Sequence, residues 1–257
     1  MRAVLVVTVL GAVLALGALL GAGFAWADDT DTCGISDQYV QADFALPQVA
    51  EALRQKHVEI AVVGSGSSTI GGPGGSGKAY PARLEATLLR ALPDTTVRVI
   101  TYIKSRQTAA DMVKEFEQVV AEAKPALVIW QTGTVDAMQG VDVDEFRNVL
   151  DEGVAVLRAK HVDVMFMNMQ YSPRTEPVIA INNYADVMRF VALQHEVLLF
   201  DRFAIMRHWS EVGAFDLFAT TKKTDTAERV HDCLGRLLGR LIIEAERMTD
   251  TPGKEVR

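Results

Sequence analysis

Cysteine is nearly absent from this chain: two residues, Cys33 and Cys233, among 257. Two cannot staple a disulfide-dense scaffold, and they exclude a zinc site built on three or four thiolates. Histidine is sparse too. Its five positions include no H-x-H or H-x-x-x-H spacing, so no metal is expected; no cofactor is expected either. Basic charge is in deficit, with 26 Lys and Arg against 33 Asp and Glu for a net −7. Without a basic excess the chain does not read as a nucleic-acid binder. No internal repeat and no linker divides it, which points to one domain.

What is present begins with an apolar run. Residues 3–24 carry no charge, follow a lone Arg2, and lead to Ala25-Trp26-Ala27 before Asp28 and Asp29. A basic start, an apolar stretch and an A-x-A end describe a secretory signal peptide over residues 1–27. An uncleaved membrane anchor is the competing reading of so long a run. Cleavage after Ala27 leaves 230 residues at net charge −8, because Arg2 is the only charge removed. Either way the expected location is periplasmic or secreted, with membrane contact only through this segment if it is kept. In an oxidising compartment Cys33 and Cys233 can pair and tie the N-terminal arm to the last helix; two independent thiols are the alternative.

Residues 28–56 read as a polar arm and a short helix from Pro47 to Lys56. From residue 57 short β-branched runs alternate with longer amphipathic ones. Strands are expected at 58–63, 97–100, 126–130, 162–167 and 197–200. Helices are expected at about 81–92, 108–123, 144–160, 179–195 and 226–248, with a tail at 249–257. Such alternation implies right-handed crossovers and a three-layer, doubly wound α/β domain of about five parallel strands over residues 57–248, flavodoxin-like in type. Ligands of such sheets sit beyond the carboxyl ends of the strands.

The loop after the first strand, Gly64 to Lys78, holds seven glycines and five Ser or Thr residues. Gly72-Pro73-Gly74-Gly75-Ser76-Gly77-Lys78 fits the first seven positions of a Walker A phosphate loop. Ala79 replaces the hydroxyl residue, however, and the motif starts about eight residues beyond the strand. A solvated glycine loop is the better account. Earlier in the loop, Val62-Val63-Gly64-Ser65-Gly66-Ser67-Ser68-Thr69 resembles the first block of the SGNH (GDSL-type) hydrolases with one extra residue. Thr69 then marks Ser67 as nucleophile, with Ser68 as the register alternative and Gly66 beside them.

The resemblance spans most of residues 57–245. Residues 97–112 are similar to the second block, with Lys104-Ser105-Arg106 where the family has an oxyanion-hole glycine. Trp130-Gln131-Thr132-Gly133-Thr134-Val135-Asp136 is similar to the third. Gly133 and Asp136 match it, while Val135 replaces a donating asparagine. Glu228-Arg229-Val230-His231 keeps the spacing of the last block, implying His231 as base and Glu228 or Asp225 as its orienter, with His208 in reserve. Asn168-Met169-Gln170-Tyr171-Ser172-Pro173-Arg174 follows the fourth strand and offers Gln170, Tyr171 and Arg174 to a substrate. The resemblance implies a serine ester hydrolase acting on a small-molecule, glycan or lipid ester of the cell envelope. The substituted block positions leave open a non-catalytic relative that binds a glycan or another envelope component.

Overall fold

The β-branched runs form the centre of a parallel sheet. In the computed structural model, residues 33–218 and 224–250 are described. The expected signal segment 1–27, the first residues of the arm and the tail beyond residue 250 lie outside them. The five strands are β1 (His57–Gly64), β2 (Thr96–Ile103), β3 (Leu127–Gln131), β4 (Asp163–Met167) and β5 (Leu198–Phe200). All neighbours are parallel, in the order 2-1-3-4-5. Every residue of β3 is buried, as a strand covered on both faces requires. The architecture is the expected doubly wound one.

Helices cover the two faces. On one side α1 (Pro47–Arg54) and α2 (Tyr80–Ala91) pack with the long C-terminal α9 (Thr224–Arg247). On the other, α3 (Ala109–Val113) and α4 (Phe116–Ala123) meet α6 (Val143–Ala159), which meets α7 (Ile181–Gln194). Two shorter helices follow strands directly: α5 (Thr134–Gln139) after β3 and α8 (Arg202–Glu211) after β5. The last two were not expected from the sequence, and the single helix expected over 108–123 is two. Thr108 and Asp111 form a reciprocal capping box that starts α3, and the chain leaves it at Lys114-Glu115 before α4 begins.

Close approach of α2 and α9 depends on glycine. A Cβ at Gly235 would lie 2.4 Å from the Cβ of Arg83 and 2.8 Å from the backbone nitrogen of Leu84. That contact sets the position of everything α9 carries. The same helix is tied to the arm by a disulfide between Cys33 and Cys233, whose Cα atoms are 5.6 Å apart. Trp209 of α8 donates its indole N–H to the Cys33 carbonyl at 2.6 Å, which holds the arm against a second helix. Among the described residues no helix is long and apolar enough to cross a membrane.

Candidate active site

The register of the central strands creates the site. Val63 pairs with Trp130, so β1 and β3 end side by side and deliver Gly64 and Gln131 to the carboxyl edge of the sheet. There the strand order reverses between β1's neighbours, the place where doubly wound sheets bind ligands. Beyond Gly64 the chain makes one short helical turn, Gly66–Ser68, rather than a long helix. A Cβ at Gly64 would sit 2.4 Å from Ser68 Oγ, so glycine lets this turn fold tightly back onto β3.

Gln131 organises three serines with one amide. Its oxygen accepts from the Ser68 hydroxyl, and its Nε2 donates to Ser67 Oγ at 3.0 Å and to Ser65 Oγ at 3.3 Å. With its own proton given to Gln131, Ser68 accepts from the Tyr80 hydroxyl at 3.1 Å. Burial pushes that phenol up to about 12, so it keeps its proton. Ser68 is wholly buried in this network, whereas Ser67 is half-exposed. Of the two registers, Ser67 is the more exposed serine.

The other partner of Ser67 is Arg202, the first residue of α8. Among the described residues it makes two hydrogen bonds, both to Ser67: Nη2 to Oγ at 3.3 Å and Nη1 to the carbonyl at 3.4 Å. The side chain is only 1% exposed, and its Nε has no acceptor. Burial pushes the guanidinium down to about 10, with Tyr80 opposing, so it stays charged at neutral pH.

His231 is joined to this network through Tyr80. Its Nδ1 accepts the backbone N–H of Tyr80 at 3.0 Å, and its ring stacks on Tyr80 at 5.9 Å. No hydrogen bond joins it to Ser67. An Nδ1 that accepts a bond has no proton to offer a carboxylate, so the neutral ring carries its proton on Nε2. Burial first, and the Arg202 charge second, push His231 down to about 4. The expected orienters are also elsewhere. Glu228 pairs with Lys78 at 2.6 Å, and Asp225 is exposed at the start of α9. The same pair commits the ammonium that a phosphate loop would need. His208, the reserve base, lies on α8 with its ring 5.1 Å from that of Tyr39.

The remaining candidates divide by role. Gly66 is exposed, and a Cβ there would lie 3.6 Å from Ser105 Oγ, so the second block does face the first. Arg106 has φ +66°, the left-handed conformation a glycine adopts freely, and its side chain is exposed. Gly133 has φ +94° and abuts Met169, whose sulfur lies 2.5 Å from where a Cβ would be. Asp136 is buried and accepts the Ala109 N–H at 2.9 Å, tying α5 to α3; burial raises its carboxyl. In the loop after β4, Tyr171 is buried edge-on against Phe203. Gln170 is exposed, and Arg174 donates to the Phe218 carbonyl. None of the three is bonded to the serine group. Among the described residues no cluster of three or more His, Cys, Asp or Glu could hold a metal ion.

The sequence reading missed Gln131 and Arg202. Gln131 is the one polar end of an apolar strand. Arg202 shares its helix stripe with Ile205, Met206 and Trp209, all buried, and a cation heading an apolar stripe was the available signal.

A five-stranded parallel sheet in this order, with a serine turn after the first strand, is the architecture of the SGNH hydrolases. The Non-GDSL lipase-like family matches residues 32–248, and the chain belongs to that family. No curated protein matches its sequence. Among solved structures it is similar to TesA, at 24% identity over 72% of this chain and 94% of that one, with a TM-score of 0.52. It is also similar to Axe2, an acetyl xylan esterase from Geobacillus stearothermophilus, in a variant structure (20% identity, 72% of this chain, 94% of that one, TM-score 0.59). An α/β hydrolase enzyme from the metagenome of Lake Arreo, Spain, is a third (19%, 76% and 97%, TM-score 0.54). At such identities the likeness establishes the fold.

Proposed function

We propose that the chain is a serine ester hydrolase in which Ser67 attacks the acyl carbonyl. The observation that carries this reading is the half-exposed Ser67 Oγ at the carboxyl edge of the sheet, held by Gln131 Nε2 and Arg202 Nη2. Membership of a lipase-like family supports it. So does the description of Axe2 as an acetyl xylan esterase whose catalytic mutants fall on a serine, an aspartate and a histidine. The proposed substrate is an acyl ester on an envelope glycan or lipid, with an O-acetylated polysaccharide foremost by analogy with Axe2. The proposed location is outside the cytosol, periplasmic or secreted; the A-x-A segment and a disulfide over a long stretch of chain both support it.

Reaction with a fluorophosphonate probe tests this function. Covalent labelling of the purified protein that is abolished by Ser67→Ala and kept by Ser68→Ala is the expected result. Loss of labelling only with Ser68→Ala would move the nucleophile one residue. A wild-type protein that is never labelled would refute the hydrolase. It would leave the second reading, a non-catalytic cleft that binds a glycan, which the lack of a hydrogen bond between His231 and Ser67 favours.

A further inference from the structure

We propose that Arg202 is a catalytic residue, its buried guanidinium stabilising negative charge on Ser67 Oγ as the hydroxyl is deprotonated and then on the substrate's carbonyl oxygen as Oγ adds to the acyl carbon. The inference rests on the hydrolase reading and goes further by naming what activates the serine. Three observations carry it. Among the described residues Arg202 hydrogen-bonds to Ser67 alone, once on the reacting atom itself. No ion pair neutralises it among the described residues, and its Nε–H has no acceptor. Its side chain is buried, where an unpaired charge is costly unless something compensates it. A structural arginine would be expected to satisfy its fork on carboxylates or several carbonyls. This one is complementary to an anion that exists only during reaction, and such differential stabilisation is what lowers a barrier.

The step balances as follows. The Ser67 hydroxyl proton passes to hydroxide from solvent, which reaches the half-exposed side chain. The Oγ lone pair then forms a bond to the acyl carbon, and the carbonyl π pair moves to oxygen. Collapse breaks the bond to the alcohol, which takes a proton from water. A second hydroxide cleaves the acyl-serine, releasing the carboxylate and Ser67. No imidazole proton transfer is involved. Among the described residues, the titratable groups that interact electrostatically with Arg202 are Tyr80 from α2 and His231 from α9. Their values and that of Arg202, about 12, about 4 and about 10, leave none titrating through the neutral range.

The rate of fluorophosphonate labelling of the purified protein, measured against pH, tests this. In the wild type it should climb by about tenfold per pH unit between about pH 6 and 9, as hydroxide dependence requires. Arg202→Gln, which keeps a donor but removes the charge, should slow labelling by about 10²–10³-fold at fixed pH. Arg202→Lys should recover part of that loss. A wild-type rate flat across the neutral range would overturn the proposal even if neither variant folds. So would an Arg202→Gln rate within about tenfold of wild type. In either case labelling at Ser67 leaves the hydrolase standing, whereas a wild type that is not labelled at all removes both.

Discussion

Acid stability separates two groups, His231 and Asp163, that pull in opposite directions. His231 falls from 6.5 in the unfolded chain to about 4 in the folded one, because burial and the Arg202 charge oppose its protonation. Between those values the unfolded state binds more protons, so the stability contributed by a neutral His231 is complete above about pH 6.5 and lost as pH falls through 4. The shift corresponds to about 3 kcal/mol. Asp163 behaves oppositely. Burial pushes it up from 3.8 to about 6, outweighing the backbone N–H groups of Gln48 and Val49 that it accepts at 2.8 and 3.0 Å. Its contribution is present below 3.8 and lost as pH rises through 6. Asp163 is half-buried, so solvent screening holds its share below about 3 kcal/mol. The two effects nearly cancel between about pH 4 and 6. Urea unfolding at a series of pH values, comparing wild type with His231→Gln and with Asp163→Asn, resolves them. Asparagine can keep the acceptor that caps α1. The wild-type advantage over His231→Gln should grow with pH, and that over Asp163→Asn should shrink. A His231→Gln difference constant from about pH 3 to 8 would refute the buried neutral imidazole.

Other perturbations test the frame around the site. Replacing Cys33 and Cys233 together by serine opens a loop spanning 200 residues, for which chain entropy gives a loss of up to about 5 kcal/mol; a melting temperature equal to that of the oxidised protein would contradict it. Gly235→Ala should cost about 1–3 kcal/mol in chemical denaturation, because the Leu84 backbone nitrogen 2.8 Å from the new carbon cannot swing aside as a side chain can. Arg106→Gly should raise stability slightly or leave it level: it removes left-handed strain of about 1 kcal/mol while adding backbone freedom to the unfolded chain, and a loss above about 1 kcal/mol would show that the arginine side chain holds this loop.

The sheet was legible because its strands are short apolar runs bounded by polar or glycine residues, and burial on both faces leaves no other reading for Leu127 to Trp130. The break between α3 and α4 was not. Ala109, Met112, Val113, Phe116, Val119 and Ala123 are all buried at helical spacing, so the apolar stripe runs through Lys114-Glu115 without a glycine or proline to mark the interruption. Ser67 could be found locally, from serines placed just beyond a strand. Its partners could not: Gln131 and Arg202 come from the ends of β3 and the start of α8, joined only when the sheet forms. The position of His231 on the last helix is legible in the sequence; its partners are not. Its surroundings depend on how α9 seats on α2, which Gly235 and the Lys78–Glu228 pair settle across about 150 residues of sequence.

Arg202 and the state of His231 follow from one electrostatic arrangement. An imidazole that took the Ser67 proton would become a cation inside the same buried region as an unneutralised guanidinium, and like charges at low dielectric oppose each other strongly. The Arg202 charge already contributes to holding His231 down to about 4. Orienting help is missing as well, since Nδ1 accepts the Tyr80 N–H instead of donating to a carboxylate. A serine–histidine pair and a buried arginine on the same Oγ are thus competing solutions to activating one hydroxyl. The hydrogen bonds at Ser67 favour the second, as proposed above: the guanidinium donates to Oγ, no hydrogen bond joins Oγ to the imidazole, and Tyr80 bonds to Ser68 and to His231.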